Sequence, residues 1–335
     1  MKRNTNQISN FISNNAVLIV LFLLIIFFGF SNKTFLKPNN LINITSQMSI
    51  NVIIAAGITF VIITGGIDIS VGSVAAFAGI FSTFIAKLFP DISVVEGLLI
   101  QVLSAIFIGA ICGLFNGIMV GYLKVVPMIA TLAMMNIARG LAYVVTNGQP
   151  VYGLSNHFSW IGAGRIIETE QFPLGILPNI AIFMVVVVIL MHLLLTITVF
   201  GRHVYAVRSN ESVAFLSGVN VKKIKVLAYM ISSILAALGG VCIASKLNNG
   251  QPGSAEGYEM YAIAATVLGG TSLSGGKGSV ARAVIGAAII AIINNGMNLL
   301  QISSYWQKVI TGVIILVAVL FDKMQRDRKA AVRAK

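Results

Sequence analysis

AVLIVLFLLIIFFGF, residues Ala16 to Phe30, runs fifteen positions without a charged or hydrogen-bonding side chain. A second run, Ile180 to Leu195, is broken only by His192. A helix on a water-soluble core shows a narrow apolar stripe, whereas these stretches are apolar all round. They approach the roughly 20 residues that carry a helix across a bilayer. The chain around them agrees: of its 335 residues 57% are apolar and 10% charged, with a mean hydropathy of +0.92. Soluble domains carry about 25% charged residues. The surface is built for lipid, and the expected fold class is all-α, a polytopic membrane protein.

Cutting at polar, Gly and Pro clusters gives about ten segments, near 15–31, 46–64, 70–88, 98–122, 127–146, 179–200, 226–246, 258–272, 283–300 and 305–321. An even number puts both termini on one side. With that side cytoplasmic, sixteen of the 23 Lys and Arg residues fall inside and five outside, and Arg139 and Lys308 lie within segments. This is the bias of the positive-inside rule. The same distribution accounts for the net charge of +13, because basic residues confined to short connections offer no continuous face to a phosphate backbone. Nucleic-acid binding is excluded on that ground. Lys2 and Arg3 ahead of the first run imitate a secretory signal, but no small-residue cleavage site follows Phe30, so the run reads as a retained helix.

No composition shift marks a second domain, and 1–335 reads as a single unit with two long connections. The outer one, 147–179, carries Trp160 and an acidic patch at Glu168 and Glu170, suited to a cap or docking edge. The inner one, 201–225, is polar with helical spacing. Cys112 and Cys242 both lie in apolar runs, which argues against a disulfide or metal site. His157, His192 and His203 have no nucleophile beside them, so catalysis by this chain is not expected.

Two stretches repeat. GGIDISVGSVA (65–75) and GGTSLSGGKGSVA (269–281) share Gly-Gly-x3-Ser and Gly-Ser-Val-Ala, with two extra residues in the second. Gly-interrupted apolar segments in two halves of a chain point to broken helices at a transport pathway, and equally to close helix packing. The second copy is not a P-loop, since Gly270 and Gly276 are separated by five residues and Gly278 follows Lys277. Its LSGGK (273–277) has no nucleotide-binding fold around it.

Asp68 and Arg139 are charges where a charge costs a few kcal/mol, roughly 2.5 to 3.5 at a helix centre. Asp68 reads either as a helix cap or as part of a polar path, and Arg139 as snorkelling, paired or path-lining. Asparagines recur at 51, 116, 136, 294, 295 and 298. An amide donates and accepts without charge, which suits a polyol's hydroxyls, and also suits hydrogen bonding between membrane helices. The candidate translocation path is Asp68, Asn116, Asn136, Arg139, Asn294 and Asn298, the last two four apart on one helix face.

In the inner connection, Asn210-Glu211 precedes a short apolar run that ends at Gly218, a helix stop. A short, partly apolar helix there invites a partner's groove. Together with GGIDISVGS (65–73), PMIATLAMMNIARGLAYVVTNGQPV (127–151), NESVAFLSGVNV (210–221), ATVLGGTSLSGGKGS (265–279) and NNGMNLLQISSYWQ (294–307), it resembles the ribose-type permease family of bacterial sugar ABC importers. The likeness extends from about residue 45 to 322.

The resemblance implies a permease of the bacterial cytoplasmic (inner) membrane that dimerises in lipid, binds a two-cassette ATPase and receives sugar from an external binding protein. It carries no cofactor and no metal, the nucleotide lying on the partner. By the same likeness 208–219 is the coupling element, with Asn210, Glu211, Ala214 and Gly218 as its residues. Replacing Glu211 or deleting 210–218 is expected to abolish transport. One departure stands out: similar permeases read Glu-Leu-Asp-Ala-Ile-Ala-Ala where this chain has Glu259-Met260-Tyr261-Ala262-Ile263-Ala264-Ala265. Ribose is the first expectation for cargo, with other pentoses, hexoses or sugar-like signals as alternatives. An ion-gradient-driven transporter is the rival class.

Overall fold

The computed structural model describes residues 2–155, 157–169, 172 and 175–333. The chain is mostly helical, in the order α1 (Lys2–Ser31), α2 (Pro38–Ile63), α3 (Val71–Leu88), α4 (Val94–Gly121) and α5 (Pro127–Thr146), then a small ribbon of β1 (Arg165–Ile166) and β2 (Leu177–Pro178). There follow α6 (Asn179–Thr196), α7 (Val199–Ser209), α8 (Glu211–Leu216), α9 (Val221–Leu247), α10 (Tyr258–Leu268), α11 (Val280–Leu299) and α12 (Ser304–Arg333). The ribbon is antiparallel, pairing Arg165 with Pro178, and is the exception to the all-α expectation.

Seven of the described helices, α2 to α6 with α9 and α11, are long and apolar enough to cross a membrane. In α1 and α12 the apolar stretches are shorter, Val17–Ser31 and Ser304–Val317. The expected segment 258–272 is helical only over the 11 residues of α10. At 1.5 Å per residue that is about 16 Å, half of a hydrocarbon core about 30 Å thick. Helix α2 begins eight residues before its expected start, at Pro38, a residue suited to the first helical turn. The polar Asn40 in that extension is buried in a reciprocal amide pair with Asn295 of α11 at 2.9 Å.

Burial separates the helices into a centre and a periphery. The apolar window of α2 is 89% buried and that of α9 is 78%, against 39% for α4, 28% for α5 and 33% for α6. Helix α9 is the hub, packed on α4, α3 and α2. Its approach to α4 is set by a ladder of four glycines, Gly109, Gly113, Gly117 and Gly121, each one turn from the next. A side chain begun at Gly113 would meet the Met230 backbone at 2.5 Å, and at Gly117 the Val226 backbone at 2.6 Å. Without a hydrophobic force between helices in lipid, such backbone-to-backbone van der Waals contact is what holds them together.

Both repeat copies end a helix in the same way. Gly65 and Gly270 take left-handed φ of +83° and +87°, which only glycine adopts without strain. The following N–H groups then reach back five residues, Gly66 to the Val61 carbonyl at 3.0 Å and Thr271 to the Thr266 carbonyl at 3.1 Å. This is a Schellman closure. After the first stop the chain turns back into the bundle without regular secondary structure over residues 66–70. Asp68 meets Ser232, eleven residues and about 16 Å into α9. The stretch GGIDIS is thus re-entrant, not a loop at the bundle's edge.

The connection 147–179 is a cap tied to the helices beneath. The carbonyl of the buried Phe158 accepts from Gln101 at 3.2 Å and Ser245 at 2.6 Å, and Asn179 donates to the Trp160 carbonyl at 2.8 Å. Of the acidic patch expected there, Glu168 is exposed, and Glu170 lies outside the described residues.

The ladder generates a direct test. Gly113→Leu overpacks the α4–α9 contact, at a cost of about 1 to 3 kcal/mol. Gly140→Ala, at a position with nothing within 4 Å, is neutral or stabilising by up to about 1 kcal/mol through helix propensity. Thermal unfolding of the two purified variants in detergent checks this: a lowered Tm is expected for Gly113→Leu alone.

Candidate functional site

The Asp68 carboxylate is fully buried and makes no ion pair among the described residues. Its charge is met by three donors. Oδ1 accepts from the Ser70 backbone N–H at 3.0 Å and the Ser70 hydroxyl at 2.6 Å, and Oδ2 from the Ser232 hydroxyl at 2.9 Å. Asn116 of α4 donates in turn to the Ser70 hydroxyl at 3.0 Å. On the flank, Tyr229 and Thr131 reach the Ile67 carbonyl at 3.5 and 3.4 Å. Hydrogen bonds to a charged acceptor are the strong kind, and here they recover part of the cost of burying it. The network fastens the non-helical residues 66–70 to α4, α5 and α9 at once. The cap reading of Asp68 survives only in modified form: Ser70 occupies the cap position of α3, and Asp68 holds Ser70.

Of the six path candidates the structure therefore unites Asp68 and Asn116, through Ser70. Asn136 lies elsewhere, exposed on α5, with its amide returned to the Leu132 carbonyl at 2.9 Å. Arg139, one turn further on, is half-buried, and its Nη1 donates to the carbonyls of Pro252 and Ser254 at 2.6 and 2.8 Å. On α11, Asn294 is half-buried, while Asn298 is exposed and accepts from Gln307 at 2.8 Å. Asn295 serves the helix-to-helix bonding already described.

A second cluster forms where α2 ends and α9 begins, beside α7 and α8. Asn210 caps α8 by accepting from the Val213 N–H at 3.0 Å, and Glu211 pairs with Lys225 of α9 at 3.0 Å. Ala214 is buried, and Gly218, with φ of +85°, stops the helix. All four coupling candidates thus shape or anchor α8. The side chains left facing outward are Val213, Phe215 and Leu216, the last 83% exposed. Polar bonds connect this helix pair to the second repeat copy: Arg208 Nε donates to the Ser274 carbonyl, and the Tyr205 hydroxyl to the Gly278 carbonyl at 2.9 Å. Burial raises the Tyr205 pKa above its ordinary value, so it stays a neutral donor. The Gly276 N–H then donates to the Ile63 carbonyl at 2.8 Å, joining the second copy to the start of the first. A cavity of about 90 Å³ at this junction is lined by Thr64, Gly65, Gly66, Arg208, Glu211, Lys225 and Tyr229 among others.

Sequence reasoning missed Ser70, Tyr229 and Ser232 as partners of Asp68, and Arg208 as the bridge to the second repeat. Ser232 is 164 residues from Asp68, and no local pattern distinguishes it from other serines in apolar helices. Tyr261, at the departure from the related sequences, is half-buried with its ring edge-on to Tyr258 at 6.0 Å between centroids.

Comparison with known proteins places this architecture. Residues 40–319 match the family described as branched-chain amino acid transport system, permease component. The ribose import permease protein RbsC of Bacillus subtilis is 44% identical over 307 residues, covering 90% of each chain. RbsC of Escherichia coli K12 is 41% identical over 313 residues, covering 92% of this chain and 93% of that one. The D-allose transport system permease protein AlsC of Escherichia coli K12 is 36% identical over 299 residues, covering 89% and 88%. No solved structure matches the chain. With a family match over most of its length and such relatives spanning nearly the whole of it, the chain belongs to the permease-component family of ABC importers that includes the ribose import permeases.

Proposed function

We propose that this chain is the single-domain membrane permease of a bacterial ABC importer for a monosaccharide, ribose first, in the cytoplasmic membrane. The observation that carries the reading in the structure is α8. Its polar and small residues anchor it to the bundle, while Phe215 and Leu216 stand outward with nothing to cover them. Exposed apolar residues on a short, fixed helix fit a partner's groove. In this reading the groove belongs to a two-cassette ATPase, and α8 lies on the cytoplasmic side with both termini. The seven long helices, the shorter apolar stretches of α1 and α12, and the half-length α10 with its connections make up the ten segments. The chain itself carries no cofactor.

Asn136, Glu256, Asn298 and Lys308 are exposed polar groups on or near segments that otherwise meet lipid. Such groups in membrane proteins face an interior or a water-filled cavity. A second copy of the chain, closing a path over the α5 and α10 face, gives them that environment. An external sugar-binding protein delivers cargo to the opposite end, and the alternation between outward and inward states is biased by nucleotide and receptor. Likeness to the D-allose permease keeps a hexose open as the cargo.

The direct test is uptake of labelled sugars, ribose and allose included, in cells lacking their own importers. The permease is expressed with its binding protein and ATPase, and again without the ATPase. Accumulation of one sugar that vanishes without the ATPase is the expected result; accumulation indifferent to the ATPase would establish the ion-gradient transporter instead. A second test addresses α8: Leu216→Asp is expected to lower ATPase copurification at least about tenfold, some 1.4 kcal/mol or more, with unchanged membrane yield. Undiminished copurification would remove α8 as the docking element.

A further inference from the structure

The connection 248–257 runs from the end of α9 to the start of the half-length α10, and three of its features bear on movement. Asn248 ends α9 in the left-handed conformation that asparagine tolerates, and the buried Ala255 holds a left-handed φ of +56°, strained where no glycine relieves it. Glycines at 250, 253 and 257 divide the segment, Gly257 with φ of +83°. The fastening from α5 is a single nitrogen, Arg139 Nη1, which serves both the Pro252 and Ser254 carbonyls. Among the described residues the other nitrogens of that guanidinium have no hydrogen-bond partner.

Five residues beyond Ser254 stands an acid. Glu259, in the first turn of α10, makes no ion pair among the described residues. It is half-buried, and its Oε2 is the atom that a side chain at Gly72 would strike first, which sets it against the first turn of α3. The positive end of that helix favours a carboxylate there. The same point of α3 meets the Ala255 carbonyl, next in sequence to the Ser254 carbonyl that Arg139 holds, so the Glu259 carboxylate lies close to the backbone fastened by Arg139. Glu256 already reaches Lys308 at 4.0 Å. Arg139 therefore has spare donors beside a carboxylate with no cation of its own, and bidentate pairing between such groups is stronger than bonding to neutral carbonyls.

We propose that Arg139 and Glu259 form a two-position latch on the 248–257 connection: the guanidinium is held by the Pro252 and Ser254 carbonyls in this conformation and by the Glu259 carboxylate in the alternate one. The exchange gives the transporter two discrete arrangements instead of a continuum. Nucleotide and binding protein then set the balance between them. The latch rests on the importer reading above and names residues that act in its conformational cycle as positioning residues.

The test uses the complete transporter, permease with ATPase and binding protein, spin-labelled at Gly140→Cys and Gly253→Cys. Nothing lies within 4 Å of a side chain begun at Gly140, and only the Tyr143 hydroxyl at 3.6 Å at Gly253; the native cysteines are buried. The label distance is expected to change between the nucleotide-free and ATP-trapped states. Glu259→Gln should abolish that change, keep the nucleotide-free distance and lower binding-protein-stimulated ATP hydrolysis at least tenfold. Arg139→Gln, whose amide can serve the two carbonyls but cannot pair with an acid, should do the same, and Arg139→Lys should retain the change. The double variant Arg139→Gln/Glu259→Gln should be no worse than either single one, the mark of two residues acting as a pair. An unchanged distance in a wild-type complex that imports sugar would overturn the latch, as would losses that multiply in the double variant. A wild-type complex that imports no sugar would overturn the functional reading itself, and that result is read from uptake, not from the labels.

Discussion

In a hydrocarbon layer every backbone N–H and C=O needs a partner within the protein, and non-helical chain survives there only when protein surrounds it. The residues 66–70 meet that condition because α4 and α9 lie close enough to enclose them. The approach depends on the glycine ladder: Gly113 faces the Tyr229 and Met230 backbone, and Gly109 faces that of Ser233 and Ile234. Asn116 stands one turn along from Gly113, and Ser232 between those two contacts on α9. The ladder therefore brings to Ser70 and Asp68 the amide and the hydroxyl that satisfy them. A wider separation of the two helices would leave a buried carboxylate without one of its three donors, and the non-helical segment without its wall.

The two repeat copies show one local instruction with two outcomes. Each stops a helix with a left-handed glycine and a five-residue return bond. The first copy then enters the bundle as the start of α3. The second carries two more residues, accounted for by Gly275 and Gly276, both with positive φ, and these bring its backbone against the end of α2. The extra pair is thus what lets the second copy bond to the first.

Much of the fold was legible because lipid exposure and long apolar runs are properties of contiguous sequence. Where the reading slipped, contiguity misled. Segment 258–272 looked continuous because apolar character persists around Gly269 and Gly270, yet the left-handed Gly270 ends the helix. The polar start of α2 looked like connection, because the partner that makes Asn40 tolerable is Asn295, far along the chain. The candidate path was legible in part for the same reason. Asp68 and Asn116 are conspicuous as polar residues in apolar context, but that they meet, while Asn136 and Asn298 face outward, is decided by helix rotation. Gly218 was readable as a helix stop since that is local chemistry, and Asn210 adds the cap at the other end. That punctuation positions a different set of residues, Phe215 and Leu216, for contact.

The same geometry constrains how a displacement of α8 can be felt inside the bundle. Helix α8 is tied to α9 by Glu211 and Lys225, and α7 to the second repeat copy by Arg208 and Tyr205. That copy is bonded to Ile63 at the end of α2, and three residues beyond lies Gly66, packed against the Tyr229 hydroxyl. From there the chain reaches Asp68 and Ser232. The links are hydrogen bonds, an ion pair and a close contact at Gly66, and a small cavity lies beside them at Arg208 and Lys225. A displacement of α7 and α8 must therefore carry residues 274–278 and the end of α2 with it, or break these bonds one by one. Because Gly66 and Asp68 are in turn fastened to α9, whose far end leads into the Arg139-held connection, the two ends of the bundle share one mechanical element. In the alternating-access reading proposed above, α9 is the element that both ends share.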